Sequence, residues 1–414
     1  MEGAHDPHGT VAARPAGGRG APPPGAVLVR KYGGSSLATP ARVRAVARAL
    51  ADAVGAGHRV VVVVSAMGRT TDDLIALARV VGDRPDPREL DQLLATGEQA
   101  SAALVALALR GLGVRAGSLC GDQAGIVVGG RPGAGVVQHV ERGRLLARLR
   151  QWDVAVVAGF QGRTEDDDVR TLGRGGSDTT AVALAAALGG DDCEIFTDVP
   201  GVLTADPSVV PGARRLSTVP YDVMLELAGR GAKVLHPRSV AVAARHGVRL
   251  RVAHTERPEV GTTVAAAPLE GGHRVVGVAH ERDVRLVTVS GVPWSFALAH
   301  LARHGLAPDV VVRWDADEVR FTVRGGPAED VVPEVVGALG ADWSVEDGLG
   351  SVSVVGTGLL DHPRYLAGTL DVLQDAVVTM TTSPSRFTAV VAADRVAPLA
   401  RALHAEFGLA EATR

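Results

Sequence analysis

Residues 59–65 read Arg-Val-Val-Val-Val-Val-Ser, and the five consecutive valines Val60–Val64 decide the fold. Alternating apolar and polar side chains would mark a strand with one face in water. An unbroken β-branched run instead marks a strand covered on both faces, as in a parallel sheet lying between helices. Outward from this run, Ala26–Tyr32, Val154–Ala158 and Cys193–Thr197 repeat the pattern of a short apolar strand. Helical patterns separate them. The first opens at Thr39-Pro40, a capping side chain followed by the residue suited to the first helical position. Others occupy about 70–80, 88–112 (Leu90, Leu93 and Leu94 on one face), Asp178–Leu188 and Ser239–His246, the last followed by a strand Arg249–Val252. This alternation predicts crossover connections and an α/β sandwich over residues 26–265.

Beyond a linker at Ala265–Gly272 the pattern changes to strand-helix-strand-strand: Val284–Val289, Ser295–His304, Val310–Trp314 and Val319–Val323. A second round follows with Ser351–Val355, a helix near 362–374, Val377–Met380, Phe387–Val391 and a helix Val396–Phe407. Two small α+β modules in tandem are expected, over about 273–345 and 346–414. Before Ala26, residues 1–25 are mostly Gly, Pro, Ala and Arg. They carry too little apolar surface to offset ordering entropy, so a disordered extension is expected there; no apolar stretch gives it the form of a secretory signal.

Composition narrows the function. The 414 residues carry 43 Lys+Arg against 46 Asp+Glu, a net charge of −3 that supplies no field for holding nucleic acid or an anionic membrane. No run of about 18 apolar residues suggests a bilayer span. Two cysteines, Cys120 and Cys193, make no disulfide framework, and no metal-ligand spacing occurs. A reducing, cytoplasmic setting is the expectation.

Five segments carry chemistry. Lys31-Tyr32-Gly33-Gly34-Ser35-Ser36 ends a strand, where glycine amides can approach phosphate oxygens and a lysine can meet developing negative charge. Alone it reads equally as a strand-to-helix turn, and no Gly-Lys dipeptide supports a P-loop. Thr171-Leu172-Gly173-Arg174-Gly175-Gly176-Ser177-Asp178 opens a helix with three glycines, a cation and a carboxylate, an anion site with a built-in acid. Asp178 could merely complement the helix dipole, whereas Arg174 is harder to explain by packing. Phe196-Thr197-Asp198-Val199-Pro200-Gly201, followed by Thr204-Ala205-Asp206-Pro207, closes a strand where open α/β sheets bind ligands, and reads equally as two capped turns. Gly97 before Glu98 costs a helix about 1 kcal/mol, which favours a ligand-facing Glu98 as much as a solvated one. Lys233, in Gly231-Ala232-Lys233, could reach phosphates or lie on the surface.

Together these segments resemble the aspartate kinases of the amino-acid kinase family, most nearly the actinobacterial single-function type. The resemblance rests on KYGGSS (31–36), VVVVSAMGRTTDDL (61–74), ELDQLLATGEQAS (89–101), VAGFQGRT (157–164) and TLGRGGSDTTAVALAAAL (171–188). CEIFTDVPGVLTADPSVVPGARRL (193–216) and MLELAGRGAKVLHPRSV (224–240) extend it. More faintly, VVGVA (275–279), VSVVG (352–356) and ALHAEFGL (402–409) resemble paired ACT modules. The resemblance implies a three-layer αβα sandwich followed by two ferredoxin-like ACT modules. It also implies ATP-dependent phosphorylation of the L-aspartate side-chain carboxylate, with ATP and Mg2+. Lys31 and Asp178 would be catalytic, Lys31 on the transferring phosphoryl group and Asp178 orienting that lysine or the metal–phosphate assembly. Ser65, Thr71, Glu98, Arg174 and Ser177 would bind aspartate, Glu98 through its ammonium and Arg174 through a carboxylate. Lys31, Gly33, Gly34, Thr197, Asp198, Asp206 and Lys233 would bind ATP, the glycines through their amides. The ACT-like half would form a homodimer.

Departures from the family pattern set further expectations. Arg170 replaces a threonine and points to a different aspartate-like acceptor as an alternative. Leu203 and Ser208 replace an aromatic and a basic residue near the nucleotide, the basis of a second alternative, a non-catalytic partner subunit. Val128 and Val223 also depart. Val292-Pro293-Trp294-Ser295-Phe296 and Leu360-Asp361-His362-Pro363-Arg364 stand where effector-binding ACT turns carry a glycine, so weak or absent lysine and threonine feedback is expected.

Overall fold

The structure is a computed structural model and describes residues 27–232, 234–267, 274–304, 306, 308–315, 317–324 and 332–410. The expected extension 1–25, most of the expected linker and Lys233 lie outside these residues.

The valine run forms the strand Arg59–Val64, with Val60–Val64 wholly buried. It lies in an eight-stranded sheet ordered Thr218–Pro220, Arg257–Ala265, Arg249–His254, Asp192–Thr197, Val27–Tyr32, Arg59–Val64, Val154–Ala158, Ala116–Leu119. Every neighbouring pair is parallel except the hairpin of Arg249–His254 with Arg257–Ala265. Helices Pro40–Gly55 and Pro87–Gly111 cover one face, where Leu50 and Leu109 meet Val60, Val62 and Val156. The helix Gly176–Ala187 packs against strands Val27–Tyr32, Arg59–Val64 and Asp192–Thr197 and is buried through Ala185. Cover on both faces accounts for the unbroken apolar strands.

Helix Pro87–Gly111 starts under a cap in which Asp86 accepts the Arg88 and Glu89 amides. Its 25 residues are long and apolar enough to cross a membrane. Half of its apolar window is buried, and its buried residues include Asp91 and Glu98, which mark it as a core helix. A second sheet of four short strands, ordered Val136–Val140, Ile126–Gly129, Gln161–Arg163, Val169–Thr171, was not foreseen. Strands of three to five residues are too short to show a period.

The chain divides into two compact units, and Val202–Ser217 and Asp222–Pro237 cluster with Leu269–Arg414 although they precede the expected linker. Hydrogen bonds explain this. The Val278 amide donates to the Thr204 carbonyl (2.8 Å), the Thr204 hydroxyl lies 2.8 Å from His404 Nε2, and Ser385 and Arg386 donate to Glu226 (2.8 and 2.9 Å).

The second unit contains a six-stranded antiparallel sheet ordered Val311–Asp315, Glu318–Arg324, Val275–Ser290, Asp342–Gly356, Arg386–Ala392, Thr379–Ser383. Its two central strands, of 16 and 15 residues, pair along their lengths with irregularities between Glu281 and Leu286. One core gathers Val287, Val289, Leu301, Phe321 and Val336; another gathers Val278, Val354, Phe387, Leu399 and Leu403. The modules are therefore nested rather than in tandem: residues 275–279 belong to the core built mainly from 352–409. The expected boundary at 345/346 falls inside a strand.

Candidate active site

The site forms at the carboxyl ends of the central parallel strands. Strand alternation sends Lys31 and Tyr32 to opposite faces. Tyr32 stacks on Phe196 (ring centroids 4.8 Å apart, 14° between planes) in the core beneath helix Pro40–Gly55, and burial pushes its hydroxyl pKa up to about 12. Lys31 faces helix Gly176–Ala187, and its Nζ lies 2.6 Å from Oδ1 of Asp178 in the first helical turn. Both side chains are close to nine-tenths buried. A carboxylate there also complements the positive end of the helix.

After Tyr32 the chain turns sharply. The Gly33 amide donates to the Phe196 carbonyl (3.2 Å), so it is already engaged and only the Gly34 amide has no partner among the described residues. This corrects the expectation that both amides face phosphate. What Gly33 supplies is room, since a Cβ there would lie 3.5 Å from Lys31 Nζ. At Gly34 a Cβ would lie 2.6 Å from the Ala66 carbonyl oxygen, a distance only glycine avoids.

Ser65 follows the valine strand and donates its amide to the Tyr32 carbonyl (3.2 Å). The next amide, of Ala66, donates to Glu98 Oε1 (3.0 Å). Gly97 permits this approach, because a Cβ there would already be 3.0 Å from that of Ala66. Glu98 is 4% exposed, and its Oε2 is buried without a hydrogen-bond partner. Burial pushes its pKa up to about 7, while the Ala66 amide pulls it back. A buried carboxylate oxygen with no donor is a receptor for a cation. Thr71 is the second residue of helix Thr70–Val81, beside the Ser65–Gly68 loop.

On the other side runs the glycine loop before helix Gly176–Ala187. Gly173 and Gly175 adopt φ of +70° and +69°. Arg174 between them is exposed and has no hydrogen bond or ion pair among the described residues. Ser177 is buried against Gly159, where a Cβ would lie 2.8 Å from its Oγ. At the end of the neighbouring strand Thr197 donates to Asp198 (3.1 Å), and both line an open cavity of about 130 Å³ with Ser35, Ser36, Arg42 and Thr255. Asp206 lies in the second unit, where it accepts the amide and hydroxyl of Ser208 (2.8 and 2.7 Å). Lys233 lies outside the described residues. No group of three His, Cys, Asp or Glu able to hold a metal occurs among them.

Two residues escaped the sequence reading. Gln161 is buried, donates to the Ala95 carbonyl (2.8 Å) and accepts from Gln99 (2.9 Å). Asp91 is 1% exposed. The available signal was spacing, since Asp91, Ala95 and Glu98 fall at i, i+4 and i+7 on one helical face. Arg170 also has a structural explanation. Its Nη1 donates to the Gly130 carbonyl (3.2 Å) and its Nε lies 3.9 Å from Asp91 Oδ2, buried without a hydrogen-bond partner, so the loop packing accounts for an arginine here without a changed acceptor.

Residues 26–254 match the model of the amino acid kinase family. Over 404 residues, 94% of this chain and the whole of the relative, the chain is 39% identical to the Aspartokinase of Thermus thermophilus. It is 42% identical over 407 residues to the Aspartokinase of Mycolicibacterium smegmatis, covering 93% and 96% of the two chains. The crystal structure of E. coli aspartokinase III in complex with aspartate and ADP matches with a TM-score of 0.81 at 24% identity, over 92% of this chain and 99% of that one. The chain belongs to the amino acid kinase family and, within it, to the aspartokinases. Its fold is the expected one, an α/β unit with a large parallel sheet followed by an antiparallel region of the ACT type.

Proposed function

We propose that this protein transfers the γ-phosphoryl group of MgATP to the side-chain carboxylate of L-aspartate, giving 4-phospho-L-aspartate and ADP. The observation that carries the reaction class is the Lys31–Asp178 pair, a buried ammonium held 2.6 Å from a carboxylate at the strand ends. As the bond from the γ-phosphorus to the bridging oxygen breaks and one to a carboxylate oxygen forms, charge spreads over the equatorial oxygens. Lys31 meets that charge, Asp178 fixes Lys31, and the Gly34 amide adds a donor. Glu98 takes the aspartate ammonium, and Arg174 pairs with a carboxylate, with Ser65, Thr71 and Ser177 around it. Thr197 and Asp198 contact the nucleotide.

Purified protein with MgATP, aspartate and hydroxylamine should give aspartyl hydroxamate that requires ATP. No product at saturating substrates would eliminate this reading. A cytoplasmic homodimer formed through the antiparallel sheet completes it; light scattering at twice the mass of one chain is the expected result. Weak feedback belongs to the same reading. At Gly358 (φ +57°) the space a side chain would take holds the Arg274 guanidinium, which donates to the Gly358 carbonyl (3.1 Å) and to Asp361 (2.6 Å). Arg274 thus occupies this turn, beside an open cavity of about 320 Å³ that it lines with Arg364 and Tyr365, while Trp294 and Phe296 stand exposed at the other.

A further inference from the structure

We propose that Asp91 is a positioning residue that sets the glycine loop Thr171–Gly176 for acceptor binding, an inference that rests on the reading of Arg174 and Ser177 above. Burying a carboxylate is costly unless hydrogen bonds compensate it. Asp91 accepts the Gly133 amide on both oxygens (3.0 and 3.1 Å) and the Thr171 hydroxyl on Oδ1 (2.5 Å), with Arg170 as its nearest cation. These partners sit on two different loops. Gly133 lies in the turn between strands Ile126–Gly129 and Val136–Val140, and Thr171 begins the glycine loop.

The two loops are locked at further points. The Gly135 amide donates to the Thr171 carbonyl (2.8 Å). A Cβ at Gly173 would lie 2.7 Å from the Gly133 carbonyl oxygen, and one at Gly135 would lie 2.7 Å from that of Thr171. A loop with three glycines has more conformational freedom to lose than any other, so its conformation must be imposed from outside. Asp91 is the buried charge at the centre of that imposition. It is also two helical turns before Glu98 on the same helix, about 10 Å along one rigid axis. Glu98 holds the Ser65–Gly68 loop through Ala66, and Asp91 holds the Thr171–Gly176 loop. One helix therefore sets the spacing between the group that receives the acceptor's ammonium and the loop that receives its carboxylate.

Steady-state kinetics of full-length Asp91→Asn and Thr171→Val test this. Asparagine turns an NH2 toward donors that need acceptors. Asp91→Asn should raise the aspartate KM about 10- to 100-fold, the scale of a sub-ångström to ångström misplacement, with the ATP KM changed less than about twofold. Thr171→Val should raise it about tenfold, the loss of one hydrogen bond to a charged group. The effects of the two variants should combine to less than their product in the double variant, because both act on one hydrogen-bond network. An aspartate KM within twofold of wild type in the folded variants, whatever their melting temperature, would overturn the proposal, as would equal rises for ATP and aspartate. If Asp91→Asn fails to fold, Thr171→Val decides alone. A wild-type protein that forms no aspartyl hydroxamate would defeat the functional reading instead, a result the variants cannot produce.

Discussion

Buried hydroxyls in the antiparallel unit and charged side chains at the candidate site differ in what they touch. The buried hydroxyls of the antiparallel unit close on protein groups: Ser353 with Thr388 (2.8 Å), the Thr369 hydroxyl on the Tyr365 carbonyl (2.7 Å), and Thr204 between His404 and the Leu409 carbonyl. At the strand ends of the parallel unit the Glu98 carboxylate keeps one oxygen without a donor, and Arg174 stands without a partner among the described residues. Satisfied buried polar groups fix a fold, whereas unsatisfied ones in a cleft are held for a ligand that completes them. The contrast separates side chains that stabilise the protein from side chains that cost it stability.

The largest effect should come from Lys31. Lys31→Met is expected to lower kcat about 10³-fold, the scale for removing a preorganised charge from a transition state. It should also lower the melting temperature, because Asp178 is left buried and unpaired. Adding Asp178→Asn should restore the melting temperature without restoring turnover; recovery of both would make the pair structural. Glu98→Gln comes next. It should raise the aspartate KM about 10- to 100-fold, as for a lost charge-assisted contact, while the ATP KM holds. Its melting temperature should stay level or rise, because a carboxylate pushed up to about 7 by burial opposes folding once ionised. For the wild type, kcat/KM for aspartate should fall as pH drops through about 7, where Glu98 becomes protonated, and that limb should vanish in Glu98→Gln.

A smaller effect tests the other unit. Burial, aided by Arg214, lowers the pKa of His404. Folding then favours the neutral ring, and this stabilisation is full above the ordinary histidine range and lost as pH falls through the depressed value. Acid melting followed by fluorescence should begin at lower pH in His404→Gln than in wild type. Should both melt alike, His404 is not what acid attacks. Least of all should be the response to lysine or threonine. Millimolar amounts of either, or of both, should change aspartate phosphorylation less than about twofold, given the Arg274 guanidinium seated against Gly358. Micromolar inhibition would contradict that account.

The core of the parallel unit was legible because Val60–Val64 and Val154–Ala158 need no partner to declare their burial. The Lys31 and Asp178 motifs were legible because glycines next to charges at strand and helix ends have few uses. Asp91 was not, because a lone aspartate in a helix looks solvated until the loops that fold over it are known. The long strand Val275–Ser290 was also hidden. His280-Glu281-Arg282-Asp283 interrupts the apolar pattern like a turn, yet it crosses from one core to the other through irregular pairing. Gly33 misled for a related reason, since motif spacing says nothing of which amides the neighbouring strand has already taken.

The shared central strands of the second unit limit how this chain can be divided. A truncation ending at 345 would leave Val278 and the rest of its core cluster without Val354, Phe387 and Leu403, and would bare a hydrogen-bonding edge open to intermolecular pairing. A fragment beginning after 265 would fare little better, because Ala205, Val209 and Val210 seal the flank of that same core. The two modules thus share their central strands, and the core of one of them is completed by Ala205, Val209 and Val210 from upstream in the chain.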